Sequence, residues 1–289
     1  MSFRKAAKTR AQTARPASHA VADRITSRDA RMLRLIAEHR VLTSGQITRA
    51  LFTDNTRARK RIGALREAGL IETFRPPAAG SSQLHCVATA KALKLLGFPA
   101  RSAVPAGVGQ AAIAAALRQD LDHLRGVNEF FCRLLAHRHE RGPGAALEEW
   151  RSEWSTARLF PGRVRPDGFG RWRDGDSWCE FFLEYDTGTE PLHRLRAKWL
   201  GYDSLMQAAD TCSPVLFWLR SSGRERRLHE LLAETSTGVP AATAVGDPQT
   251  ADITGMVWRP TFTERRLTLA QLGRAACDHL GVPQRPNVL

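Results

Sequence analysis

The chain has 289 residues, of which 43% are hydrophobic, so it is long enough to bury the cores of more than one globular unit. Lysine and arginine number 43 against 29 acidic residues, and 17 of the basic but only 6 of the acidic residues lie before residue 76. This concentration favours a polyanionic partner, and nucleic acid is favoured over a membrane because no apolar run approaches the ~20 residues that span a bilayer.

Residues 1–24 are predicted to be a disordered basic arm, because they lack the apolar core of a secretory signal and the first 20 contain no acid. The five cysteines lie far apart and form no Cys-x-x-Cys pair; they are Cys86, Cys132, Cys179, Cys212 and Cys277. An odd number of cysteines without an export signal predicts a cytoplasmic protein whose cysteines are reduced and structural.

Three helices are predicted after the arm. Ser27 can cap the first, which runs to about His39. Thr43 and Gln46 have the spacing of a capping box and begin the second helix. The third helix turns Ala58, Ile62, Leu65 and Gly69 inward, so its outer face is cationic and sterically open.

Two short strands, at 71–75 and 83–87, follow the third helix, and a short helix begins at Thr89. Together with Gly69-Leu70-Ile71, this order over residues 25–98 resembles the winged helix-turn-helix domains of bacterial regulators. The resemblance implies that the partner is double-stranded DNA and that the cations Arg57, Arg59, Lys60, Arg61 and Arg75 contact it. Winged helices also serve as protein–protein modules, and an arginine-rich face can simply be solvated, but the charge excess favours DNA.

A Pro- and Gly-containing linker at 99–109 precedes a long amphipathic helix at 111–141. His123 lies on this helix and is interpreted as a structural hydrogen-bonding residue, since that is the commoner role of a lone histidine.

Acidic residues mark the ends of two predicted strands. Asp167 follows Pro166, and Glu184 and Asp186 end the apolar run from Phe181. Residues two apart on a strand share a face, so Glu184 and Asp186 are expected side by side on a strand buried on both sides. With Asp167 they are predicted to bind Mg²⁺ or Mn²⁺, which take carboxylate oxygens. Alternatively, Asp167 caps a turn and the other two acids pair with arginines.

Helix, three strands, helix and strand, from residue 111 to residue 219, is the order of the restriction-endonuclease-like core. This segment resembles that fold in Pro166-Asp167 and Glu184, but Asp186 stands where the fold has its catalytic lysine. The resemblance implies catalytic roles for Asp167, Glu184 and Asp186. Lys198, on the following helix one turn before Tyr202, is a substitute for the lysine or an ordinary solvated residue.

The Glu-x-Asp-x-Gly-Thr-Glu segment from Glu184 to Glu190, with Lys198 and Tyr202 downstream, resembles the replication-relaxation family of actinobacterial plasmids and integrative elements. The resemblance covers nearly the whole chain and implies a role in plasmid replication, mobilisation or DNA relaxation. Glu153 is a further member of the expected acid cluster, and Glu190 is expected to cap the next helix.

The predicted fold class is α+β and multidomain. Its parts are a disordered arm (1–24), a winged helix-turn-helix domain (25–98), a linker (99–109), a nuclease-like α/β domain with a mixed sheet (110–235), and a loop with a C-terminal helical extension (236–289). Two functions remain open: a metal-dependent DNA endonuclease or nickase, and a non-catalytic DNA-binding accessory or regulator with a nuclease-like scaffold. Relaxase or replication proteins and a second copy of the chain are the further partners considered.

Overall fold

The computed structural model describes residues 25–76, 83–99, 113, 121–142, 144–209, 211–235 and 237–284. The basic arm predicted for residues 1–24 and nearly all of the predicted linker lie outside these described residues. Within these ranges, none of the helices is both long enough and apolar enough to cross a bilayer.

Three helices form the first unit, and each begins at a side-chain cap. They are α1 (Ser27–His39), α2 (Ser44–Leu51) and α3 (Asn55–Glu67). Thr26, rather than Ser27, caps α1. The capping box of α2 is confirmed, since Gln46 N donates to Thr43 Oγ1 at 3.2 Å and Thr43 N donates to Gln46 Oε1 at 2.9 Å.

A small antiparallel sheet completes this unit in the order β1-β3-β2. Its strands are β1 (Leu42–Thr43), β2 (Ile71–Phe74) and β3 (His85–Ala88), and helix α4 (Ala90–Leu96) follows. The two predicted strands are present, whereas β1 was not predicted, because two residues are too few to show a period. Gly69 lies past the end of α3, where its φ of +68° suits glycine.

The larger unit begins with the long helix α5 (Leu121–Arg141) and contains most of the chain's strands. Its other elements are β4 (Ala145–Ser152), α6 (Glu153–Leu159), β5 (Gly168–Asp174), β6 (Ser177–Tyr185), α7 (Leu192–Ala209), β7 (Val215–Leu219), α8 (Ser222–Ala233), β8 (Ala241–Val245), β9 (Arg259–Pro260) and α9 (Leu269–Leu280). Glu153 was expected in the acid cluster, but it begins α6 and is exposed, because Ser152 caps a helix there.

Six strands form one mixed sheet in the order β4-β5-β6-β7-β8-β9. Strands β4, β5 and β6 pair antiparallel, β6, β7 and β8 pair parallel, and β9 returns antiparallel. The loop predicted at the start of the 236–289 segment is wrong, since β8 lies there as an interior strand. The sheet therefore continues past the boundary predicted at residue 235.

Helices cover both faces of this sheet. Helices α5 and α9 cover one face, where the side chains of Phe130, Phe181 and Leu269 are fully buried. Helices α7 and α8 cover the other, with Phe182 and Leu228. Strand β6 is thus buried on both sides, as its two apolar faces predicted.

Cys212 and Cys277 form a disulfide across 5.2 Å between their Cα atoms. This corrects the expectation that all five cysteines are reduced. The two residues are 65 positions apart in sequence, and only the packing of α9 against β6 brings them together. Cys86, Cys132 and Cys179 are buried and free.

The first unit is docked on α5 and β4 through buried polar contacts. Gln46 Nε2 donates to Arg125 O at 2.9 Å and to Glu129 Oε2 at 3.2 Å. Asn128 Nδ2 donates to Val41 O at 2.6 Å. The His39 ring stacks on Trp150 with 3.5 Å between ring centroids. Helix α5 therefore belongs to the cores of both units.

Candidate functional site

Two carboxylates and a lysine meet at the end of strand β6. Asp167 immediately precedes β5, and its Oδ2 accepts from Tyr185 N at 2.8 Å, which fixes the carboxylate against β6. Glu184, on β6, is 2% exposed. Lys198, on α7, donates from Nζ to Asp167 Oδ1 at 3.1 Å and to Glu184 Oε2. The helix lysine, considered from sequence as a substitute, thus contacts both acids.

Tyr202 and His123 complete this group. Tyr202 lies one turn after Lys198 on α7, is fully buried and donates its hydroxyl hydrogen to Glu184 Oε1. His123 Nε2, on α5, is 3.2 Å from Asp167 Oδ2. The interpretation of His123 as a hydrogen-bonding residue did not foresee that its partner is an acid of the site. No sequence signal indicates this contact, because it depends on how α5 crosses the sheet. We call Asp167, Glu184, Lys198, Tyr202 and His123 the ionic cluster.

The cluster sets the protonation of its members. Burial raises the pKa of Asp167, but the Lys198 ammonium and His123 outweigh it and bring this pKa down to about 2. Burial, reinforced by the Asp167 charge, raises the pKa of Glu184 to about 8. Burial lowers the pKa of Lys198, but the two carboxylates outweigh it and raise this pKa above its ordinary value. Asp167 and Lys198 are therefore charged at neutral pH, whereas burial favours the neutral form of Glu184.

Asp186 lies apart from the ionic cluster. Strand β6 ends at Tyr185, and the Asp186 carboxylate accepts from Arg224 of α8, with Nη2 2.9 Å from Oδ1. It also accepts from Gly188 N at 3.0 Å. The expected three-carboxylate site is not formed, since no group of three His, Cys, Asp or Glu side chains in the described ranges could hold a metal ion. For Asp186, the alternative of pairing with an arginine matches the structure.

Two of the expected acids still supply oxygens of the kind that a hard cation takes, although Lys198 now lies between them. Asp167 and Glu184 point their oxygens at the same ammonium group, and Mg²⁺ commonly uses one or two protein carboxylates together with waters and phosphate oxygens. Two carboxylates, rather than the three expected, would supply these oxygens.

The cations predicted to bind DNA differ in what they contact. Arg59 and Lys60 are exposed on α3, and Arg57 is exposed with Asp54 3.2 Å away. Arg61 is committed to the fold, because its Nε and Nη2 lie 2.9 and 2.6 Å from the carboxylate of fully buried Asp29. Arg75, which follows β2, lines a groove of about 350 Å³ beside α3. Arg59 and Arg66 of α3 line the same groove.

Fold and site together define a mixed α/β protein in which a small helical unit is docked on a six-stranded sheet that carries a buried ionic cluster. The chain belongs to the replication-relaxation family, whose model matches residues 33–216. The matched segment includes most of the first unit and every member of the ionic cluster. Comparison with curated proteins and with solved structures gives no significant match. The family expected from sequence is thereby confirmed over residues 33–216 rather than over nearly the whole chain, and the family suggests a role in plasmid replication or relaxation.

Proposed function

We propose that the chain is a double-stranded-DNA-binding protein of plasmid or mobile-element replication or mobilisation, and that its ionic cluster hydrolyses a phosphodiester bond. The observation that carries this proposal is the contact of Lys198 with both Asp167 and Glu184. An acid before one strand, an acid at the end of the next and a nearby lysine form the chemical group of restriction-endonuclease-like nucleases, with the lysine here supplied by helix α7.

The remaining architecture supports DNA as the substrate. The order α5, β4, β5, β6, α7, β7 agrees with a restriction-endonuclease-like core, with α6 inserted. The first unit has the three helices and paired strands of a winged helix-turn-helix, and exposed arginines and a lysine cover α3. Such cations supply affinity for phosphates without reading the base sequence.

The side chains of the ionic cluster have different roles in the proposed reaction. Asp167 and Glu184 would hold Mg²⁺ or Mn²⁺, which supplies Lewis acidity and lowers the pKa of a bound water. Lys198 keeps a positive charge where both acids meet, and there it stabilises the negative charge that develops on the phosphate. Tyr202 orients Glu184, and His123 orients Asp167.

Conversion of supercoiled plasmid to nicked circles in Mg²⁺ or Mn²⁺ tests the proposal. We expect Glu184→Gln and Lys198→Met each to slow nicking by ~10²–10³-fold, the range found when a charge-stabilising donor is removed. Asp203→Asn is the matched control, because Asp203 lies exposed on the same helix and, among the residues that the structure describes, bonds only Gln207. Nicking at the wild-type rate in the Glu184 and Lys198 variants would exclude this site.

A second function is a non-catalytic DNA-binding accessory or regulator that uses this unit for assembly with replication proteins or a relaxase. Two observations favour it: Glu184 is only 2% exposed, and Asp186, at the position of the strand lysine, is bound by Arg224. DNA binding without nicking in either metal would support this second function.

A further inference from the structure

A cavity of about 330 Å³ lies between the two units and opens onto the ionic cluster. Asp167 and His123 form its wall on the side of the cluster. Three arginines and a tryptophan also line it: Arg40, Arg158, Arg165 and Trp154. We propose that this cavity, which we call the strand subsite, binds one unpaired nucleotide of the DNA strand next to the bond that is cut. This inference rests on the proposed function and names the part of the substrate that reaches the site.

Trp154 and Arg158 form the stacking surface of the strand subsite. Trp154 is half-buried on α6, and the Arg158 guanidinium carbon lies 4.6 Å from the centre of its ring. This cation–π contact holds both planar groups in place. Proteins that bind single strands stack bases on such aromatic and guanidinium planes, whatever the base.

Arg40 is placed by a strained turn. It is the one described non-glycine residue with positive φ, at φ 67° and ψ −46°. Val41 N donates to His39 O at 2.8 Å across it, so Arg40 is the centre of a classic γ-turn, a rare and costly conformation. Asn128 Nδ2 donates to the carbonyls of His39 and Val41, which holds the turn from both sides. Backbone strain of this kind concentrates at binding sites.

The charges and the size of the strand subsite suit one nucleotide. Arg165 is exposed just before Pro166-Asp167 and forms no ion pair with any residue that the structure describes, so its charge is available to a phosphate. Of the two glutamates in the lining, Glu38 accepts from Ser152 N at 3.0 Å and Ser152 Oγ at 2.7 Å, and Glu153 lies in the first turn of α6, where the helix dipole favours an acid. A space of 330 Å³ lies at the small end of ligand sites and cannot admit a duplex.

Photocrosslinking tests this subsite without requiring cleavage. The full chain in EDTA is irradiated with a ten-nucleotide single strand containing 5-iodouracil, and the crosslinked peptide is identified by mass spectrometry. We expect the crosslink between residues 150 and 165, its loss in Trp154→Ala, and its retention in Arg57→Ala/Lys60→Ala, which changes only α3. Fluorescence anisotropy should show oligonucleotide affinity reduced about 10-fold in Trp154→Ala and largely restored in Trp154→Phe.

Arg158→Ala/Arg165→Ala should also weaken binding of the oligonucleotide, and Arg163→Ala is its control, because Arg163 is exposed nearby but does not line the cavity. Unchanged affinity and crosslinking in the Trp154→Ala and double-arginine variants would overturn the strand subsite, even if Glu184→Gln abolishes nicking. A crosslink at Trp154 in a protein that never nicks would uphold the subsite and overturn the proposed hydrolysis.

Discussion

Lys198 contacts two acids, Asp167 just before β5 and Glu184 on β6. The sequence predicts part of this contact. The two-residue period of β6 places Glu184 on the same face as Phe182, which packs against α7. The helical period of α7 places Lys198 one turn before Tyr202. These local periods predict the acids and the lysine. They do not predict Arg224 at Asp186 or His123 at Asp167, because those contacts depend on how α8 and α5 cross the sheet.

Arg61 and its neighbours on α3 should respond differently to substitution. Arg61→Ala leaves the fully buried Asp29 carboxylate without its guanidinium, so we expect a loss of about 1–3 kcal/mol in the free energy of unfolding, measured by urea denaturation. Arg57→Ala/Lys60→Ala should keep the stability of the wild type but weaken duplex binding and flatten its salt dependence. Equal stability of the Arg61→Ala and wild-type proteins would contradict the structural role of Arg61.

Among the elements, helices that begin at a threonine cap were predicted better than α6, whose cap, Ser152, was not recognised. Thr43, Thr89 and Thr268 each accept from a backbone N–H at the start of a helix, and this signal is local. Strand β8 was missed because its sequence, Ala-Ala-Thr-Ala-Val, has neither large apolar residues nor an alternating pattern. Its position between β7 and β9 is decided by the sheet, not by its own composition.

Helix α9 lies so close to β6 that one glycine decides their packing. A Cβ at Gly273 would stand 2.3 Å from Trp178 O, a backbone atom that cannot rotate away. We expect Gly273→Ala to destabilise the protein by about 1–3 kcal/mol in thermal or urea unfolding. Gly63→Ala is the matched control, since Gly63 lies in the middle of α3 with nothing within 4 Å of the added methyl group. That substitution should stabilise by about 0.5–1 kcal/mol, and similar effects of both changes would disprove the close packing.

At the scale of the whole molecule, the contact between the two units was not predictable from sequence. The charge distribution indicates two units, but it does not show that His39 stacks on Trp150 or that α5 supplies polar partners to the first unit. Such contacts join residues 87 (Val41 and Asn128) and 111 (His39 and Trp150, from 150 − 39) positions apart and leave no periodic signal. The family match covers most of the first unit and the larger unit as far as residue 216.

Low pH should weaken the contact between the two units through His39. Burial lowers the pKa of His39 from 6.5 to about 3, so below pH 6.5 the unfolded chain takes up a proton that the folded chain refuses. Stability is therefore fully present above pH 6.5 and decreases as the pH falls towards 3. We expect a loss of roughly 1 kcal/mol from this group between pH 7.5 and 5.5 in urea titrations.

His39→Phe should show a smaller decrease over the same range, because the stacked ring then carries no titratable nitrogen. His193→Gln is the control, since His193 is exposed on α7 and its replacement should leave the wild-type pH dependence unchanged. An identical slope in the wild-type and His39→Phe proteins would show that another group is responsible.

Gln46 provides a mechanical connection between the two units. Its amide oxygen caps α2 through Thr43 N, while its amide nitrogen binds Arg125 O and Glu129 of α5. Tilting the first unit away from the sheet would break the bonds of this side chain to α5, while its bond to Thr43 N moves with α2. Under the proposed DNA binding, a load on α3 would pass through its neighbour α2 to α5, the helix whose His123 faces Asp167.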